Sequence, residues 1–90
     1  MTRRRHYTQE QLNELALQSQ HPKQAAAARQ YLDAHWNVYR TETREGCTVL
    51  MFQRGEMFGV MLPNGRFIRP LVGKKTVSYD WRDVRAAATL

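Results

Sequence analysis

Residues 54–75 read RGEMFGVMLPNGRFIRPLVGKK. Five bases (Arg54, Arg66, Arg69, Lys74, Lys75) meet one acid, Glu56, and apolar residues occupy both alternating positions. At the centre, PNGR (63–66) is the clearest turn signal in the chain. Asn64 and Gly65 tolerate the positive φ angles of a two-residue type I′ loop, and the flanking runs have the period of strands. That loop sets Leu62 opposite Phe67, Val60 opposite Arg69 and Phe58 opposite Leu71. It gathers Met57, Met61, Ile68 and Val72 on the other face, with Gly59 opposite Pro70. One face packs on helices. The second is covered either by a C-terminal helix carrying Trp81 or by a partner, and methionine is an adaptable residue for a partner surface. A homodimer is one form such an interface takes.

Upstream of this ribbon, NVYRTET (37–43) alternates, REG (44–46) turns it, CTVLMFQ (47–53) follows as a strand, and RGE (54–56) turns again. Before Asn37 the period is about 3.6 instead of 2. Thr8 and Gln11 match a capping box, and Tyr7 with Leu12 spans it as a hydrophobic staple. The helix that follows runs to about Gln20, and His21-Pro22 ends it and starts the next. QAAAARQYLDAHW (24–36) is a strong helix former, with Ala25, Ala28, Leu32 and His35 or Trp36 on its inner stripe. Downstream of the ribbon, KKTVSY (74–79) adds a short strand, and Asp80 caps a last helix that turns Trp81, Val84 and Ala88 inward.

The expected architecture is therefore α+β: an N-terminal helical hairpin, a three- or four-stranded antiparallel β-meander, and a short C-terminal helix. Residues 1–7, with Arg3, Arg4 and Arg5 in a row, read as a basic flexible tail, and 8–90 as one α+β domain.

Charge points to the partner. The net charge is +6, and eleven of the fourteen basic residues are arginine, the side chain suited to bidentate contact with phosphate or carboxylate. The leading expectation is a small non-enzymatic protein that binds nucleic acid, DNA first. Arg54, Arg66, Arg69, Lys74 and Lys75 would lie along the hairpin, and Arg3, Arg4 and Arg5 would form an auxiliary arm. The rival is an inhibitor or adaptor that docks on an acidic protein surface, with Met57, Met61, Ile68 and Val72 as its apolar contact. The size and the alanine-arginine-glutamine bias resemble small accessory proteins of bacteria and their phages. Basic residues also protect sheet edges from aggregation, which needs no ligand.

Catalysis is not expected. His6, His21, His35 and Cys47 have no metal-ligand spacing, and no glycine-rich phosphate loop occurs. Asp80 and Asp83 read as helix-start residues, and Cys47 as a small strand residue. No cofactor is implied. Residues 8–36 have the outline of a helix-turn-helix with Lys23, Gln24, Arg29 and Gln30 on its second helix, but the connection lacks the usual turn glycine and the stretch reads first as a packing hairpin. Tyr31, Tyr39, Phe52, Phe58 and Phe67 are core or base-stacking residues. No membrane-spanning stretch or leader is read, and a lone cysteine suits a cytoplasmic setting.

Overall fold

The helical half begins where the capping box places it. In the computed structural model, which describes residues 7–73 and 77–88, Gln11 N–H donates to Thr8 Oγ1 at 3.2 Å and Thr8 N–H to Gln11 Oε1 at 2.9 Å. Helix α1 spans Gln9–Leu17 and α2 spans Pro22–Asp33 with Pro22 in its first turn. α1 stops short of Gln20 because Ser19 is used for the bend: its hydroxyl donates to Gln24 Oε1 and accepts from His21 N–H. α2 ends in a Schellman motif, with Trp36 N–H on Tyr31 O and His35 N–H on Leu32 O, both within 3.1 Å. His35 takes the left-handed position usually given to glycine, at φ +70°, and is exposed instead of lying half-buried at the helix end.

The chain then becomes an antiparallel meander: β1 (Asn37–Arg44), β2 (Cys47–Arg54), β3 (Met57–Met61) and β4 (Phe67–Ile68), in the order β1-β2-β3-β4. A two-stranded sheet of β5 (Leu71–Val72) and β6 (Val77–Ser78) leads into α3 (Trp81–Ala88). The architecture is α+β, with helices before and after the sheet.

The turns are assigned differently from expectation. The two-residue type I′ loop is Glu45-Gly46, whose φ angles are +53° and +78°, closing Arg44 against Cys47. At PNGR the loop has three residues, Pro63 to Gly65. Gly65 N–H donates to Leu62 O at 2.9 Å, and Leu62 N–H to Arg66 O at 2.8 Å. Pro63 fits the first corner of a type I turn, and Gly65 follows at φ +87°. This moves the register by one residue. Met61 now pairs with Phe67 and Val60 with Ile68, so Met61 and Ile68 face opposite sides.

Both faces of the sheet are covered. Val38, Leu50, Phe52, Met61 and Phe67 pack with Ala16, Ala28, Tyr31 and Trp36 beneath α1 and α2. Val49, Met51, Val60, Leu62 and Ile68 pack with Val84, Ala87 and Trp81. The second greasy face of the ribbon is thus explained by α3, with Ala87 in the inward place expected of Ala88. A bulge between Val38 and Arg40 puts Arg40, Glu42 and Arg44 on the same face as Tyr39, opposite Met51, Val49 and Cys47 of this second cluster.

Gln24 fastens the helical hairpin to the sheet. It is fully buried, and its Nε2 donates to Thr48 O at 2.7 Å and Met61 O at 3.3 Å. Thr48 N–H donates to His21 Nε2 at 3.2 Å. Extending the β2–β3 register places Thr48 opposite Pro63, which has no N–H, so the side chains of α2 and its cap take over where the ladder stops. Buried in this role, Gln24 is not available to read bases.

Candidate nucleic-acid interface

The meander sorts its turns to two ends. Glu45-Gly46 and Pro63–Gly65 share one end of the sheet, and Gly55-Glu56 lies at the other. That separation divides the cations of residues 54–75. Arg54 is at the far end, five residues of β3 away, roughly 16 Å at the usual strand rise. Its guanidinium donates to Ala34 O at 3.1 Å and lies 5.1 Å from the Trp36 ring centre. It therefore caps the end of α2 and does not join Arg66. Arg69 follows β4 and lines a cleft with Asp80 and Asp83. Arg66 alone of these three sits at the 63–65 turn. Arg3, Arg4, Arg5, Lys74 and Lys75 lie outside the described residues.

Other cations meet Arg66 there. The first turn of α2 abuts the loop so closely that a Cβ on Gly65 would stand 2.7 Å from Lys23 O. This brings the Lys23 backbone against the loop that Arg66 follows. Arg66 also shares a cleft with Asp83 and Ala87 of α3, while Arg85 of α3 shares another with Arg44 and Glu45. Lys23, Arg44, Arg66 and Arg85 thus encircle one end of the sheet, all exposed, against the acids Glu45 and Asp83. Among the described residues two ion pairs form, Arg40–Glu42 at 3.6 Å and Arg82–Asp80 at 2.9 Å, and neither uses these four cations. Asp80 is held below the ordinary carboxylate range, first by its side-chain hydrogen bond from Arg82. Its charge is therefore committed to its neighbour.

Sequence reading weighed Lys23 only as a helix-turn-helix residue and missed Arg44 and Arg85, because the three come from elements far apart in the chain. The type I′ signature at Glu45-Gly46 was the one local hint that Arg44 would reach this end.

The apolar candidates separate in a similar way. Met61 is wholly buried beneath the helices and Ile68 packs toward α3, whereas Met57 is 45% and Val72 56% exposed. The one-residue register change parts Met61 from Ile68, and Val72 belongs to the separate β5–β6 sheet, so the four do not form one surface. Of the aromatic residues, Tyr31, Phe52 and Phe67 are core: the Tyr31 and Phe67 rings stack at 4.1 Å. Tyr39 meets Phe58 edge-on at 5.7 Å.

On the α3 side, Arg44 lies 4.7 Å over the Trp81 ring centre, and Trp81 meets Tyr79 edge-on at 5.9 Å. The hydroxyls of Tyr39 and Tyr79 and the Trp81 Nε1 are buried without a hydrogen-bond partner of good geometry. Burial, followed by the nearby Glu42 carboxylate, pushes the Tyr79 phenol up, and burial does the same for Tyr39. Among the described residues no group of three or more His, Cys, Asp or Glu side chains is placed to hold a metal ion, and no helix is long and apolar enough to cross a membrane. No known protein family, curated protein or solved structure matches this chain.

Proposed function

We propose that this chain is a small, non-enzymatic, cytoplasmic nucleic-acid-binding protein, DNA being its first ligand, that holds phosphates at the turn end of its sheet. Arg66, Lys23, Arg44 and Arg85 are the principal contacts, and Arg3, Arg4, Arg5, Lys74 and Lys75 extend them. One observation carries the reading: four exposed cations from separate elements surround one end of the sheet with no ion pair among the described residues. A surplus of cations in one place, four against Glu45 and Asp83, favours a polyanion over scattered solvation. Because α1, α2 and α3 cover both sheet faces, binding uses an end of the sheet and not a face.

The test is the salt dependence of binding to labelled duplex and single-stranded DNA. Four phosphate contacts give a slope of log K against log salt of about −3.6 on duplex. Arg66→Ala or Lys23→Ala lowers the slope by about one unit. Arg54→Ala leaves it unchanged, because Arg54 is engaged at the far end. Absence of binding to either DNA at low salt refutes the proposal.

A protein-docking adaptor is the second reading, supported by Leu71 and Val72, which are adjacent on β5 and 77% and 56% exposed. Leu71→Asp separates the two, since it leaves phosphate binding intact while abolishing an apolar docking contact.

A further inference from the structure

The Arg44–Trp81 stack is a partition. On one side a cleft of about 230 Å³ is lined by Glu42, Arg44, Ser78, Tyr79 and Trp81. On the other, one of about 80 Å³ is lined by Arg44, Glu45, Trp81 and Arg85. Arg44 is the shared wall, an exposed side chain with no ion pair among the described residues, held on the indole by a cation–π contact of the weak, solvent-facing kind. Swinging it outward joins the two clefts over the Trp81 ring.

The chemistry of that joined cleft is restrictive. A flat ring can lie between the indole and the guanidinium, the sandwich by which unpaired bases are held. At the edge waits Glu42, whose ionised carboxylate only accepts hydrogen bonds. The Tyr79 hydroxyl faces that carboxylate, which after burial is what raises its pKa, so its proton is directed at Glu42. The Trp81 Nε1 is a buried polar group left without a partner, a state that native structures seldom tolerate. Among the common bases only guanine offers two adjacent donors, N1–H and the 2-amino group, with a carbonyl oxygen beside them. Adenine and cytosine set an acceptor next to their amino group, and uracil flanks one donor with two carbonyls. Arg40, 3.6 Å from Glu42, together with Arg44 and Arg85, offsets the repulsion between that carboxylate and a phosphate.

We infer that the cleft bounded by Glu42, Arg44, Tyr79 and Trp81 binds an unpaired guanine nucleotide, its ring stacked on Trp81, its donor edge on Glu42 and its phosphate on Arg44 and Arg85. This deepens the nucleic-acid reading and rests on it for its biological setting: the turn end holds backbone, and the cleft holds one extruded or single-stranded base.

Trp81 reports directly. Trp36→Phe leaves it as the sole tryptophan, and the indole N–H resonances of the unaltered chain provide the same readout should that variant fold poorly. Guanosine monophosphate is expected to quench Trp81 and shift its N–H, with adenosine and uridine monophosphates at least about tenfold weaker, the scale of one bidentate base contact. Glu42→Gln removes the preference for guanine. Arg66→Ala weakens an oligothymidylate carrying one guanine but not the free nucleotide. Equal response to guanosine and uridine monophosphates, or oligonucleotide binding with Trp81 undisturbed, overturns the cleft and leaves the phosphate surface standing. Guanosine monophosphate binding without any oligonucleotide binding upholds the cleft and removes the proposed function instead.

Discussion

Gly59→Ala tests the register on which every facing assignment depends. Gly59 lies opposite Phe52 on the helix-facing side, and a Cβ there would stand 1.9 Å from Phe67 Cζ and 2.0 Å from a Cε. The ring has little room to retreat. Phe67 stacks on Tyr31 at 4.1 Å, meets Trp36 edge-on at 5.1 Å and lies 5.8 Å from Phe52. Forcing a methyl into such a contact costs about 1–3 kcal/mol, and spoiling one aromatic pair adds about 1 kcal/mol. Relief of glycine's strand penalty returns only about 0.5–1 kcal/mol. The net expectation is a loss of about 2–3 kcal/mol. Urea unfolding followed by far-ultraviolet circular dichroism measures it. With Phe67→Leu, which lacks the clashing ring atoms, the same Gly59→Ala change stabilises by about 0.5–1 kcal/mol, leaving a coupling of about 3 kcal/mol. A methyl that stabilises the parent chain, or costs the same in both backgrounds, places Phe67 elsewhere and refutes the one-residue register.

Four further outcomes follow from other parts of the molecule. His35→Gly relieves a non-glycine residue at φ +70° and raises stability by about 0.5–1 kcal/mol in the same urea assay. Gln24→Ala strands the Thr48 and Met61 carbonyls and lowers stability by about 3 kcal/mol, read as a lower urea midpoint. Met61→Glu places a charge at a fully buried position, so the chain loses its cooperative transition, whereas Met57→Glu at the exposed start of the same strand keeps it. The folded-state pKa values of Tyr39 and Tyr79 lie above the ordinary 10.0. Their neutral phenols therefore contribute stability that is full below that pH and lost as pH climbs through the raised values. In an alkaline spectrophotometric titration, two of the four tyrosines should ionise only as circular dichroism collapses. Ionisation of all four in an intact fold would contradict their burial.

Much of the architecture was written locally. The Thr8–Gln11 box, the Pro22 start and the change of period at Asn37 each depend on residues within a turn of one another, and each is observed. What local reading misjudged was the choice between two competent loops at PNGR. Asn-Gly favours two residues, yet Pro63 fits the first corner of a type I turn, and the docking of Lys23 against Gly65 belongs to the three-residue form. One residue of slip was enough to exchange the partners of Met61 and Ile68. The α3 lid was legible as one of two alternatives for the second face. The ring of Lys23, Arg44, Arg66 and Arg85 was not legible, because no spacing along the chain announces a meeting of α2, β1, the 63–65 turn and α3. His35 was misjudged for a related reason: histidine's modest enrichment in left-handed backbone is too weak to mark one position.

The Gln24 amide has a consequence for how firmly the two halves are seated. A purely oily contact between a helix pair and a sheet has many nearly equivalent dockings, since sliding by one helical turn exchanges one aliphatic neighbour for another. An amide that must meet two particular carbonyls, with a serine hydroxyl at its other end, makes every shifted docking leave those groups dry and unmet. The α1–α2 unit is thereby keyed to a single seat, and Lys23, one residue along, is delivered to the same spot in every molecule.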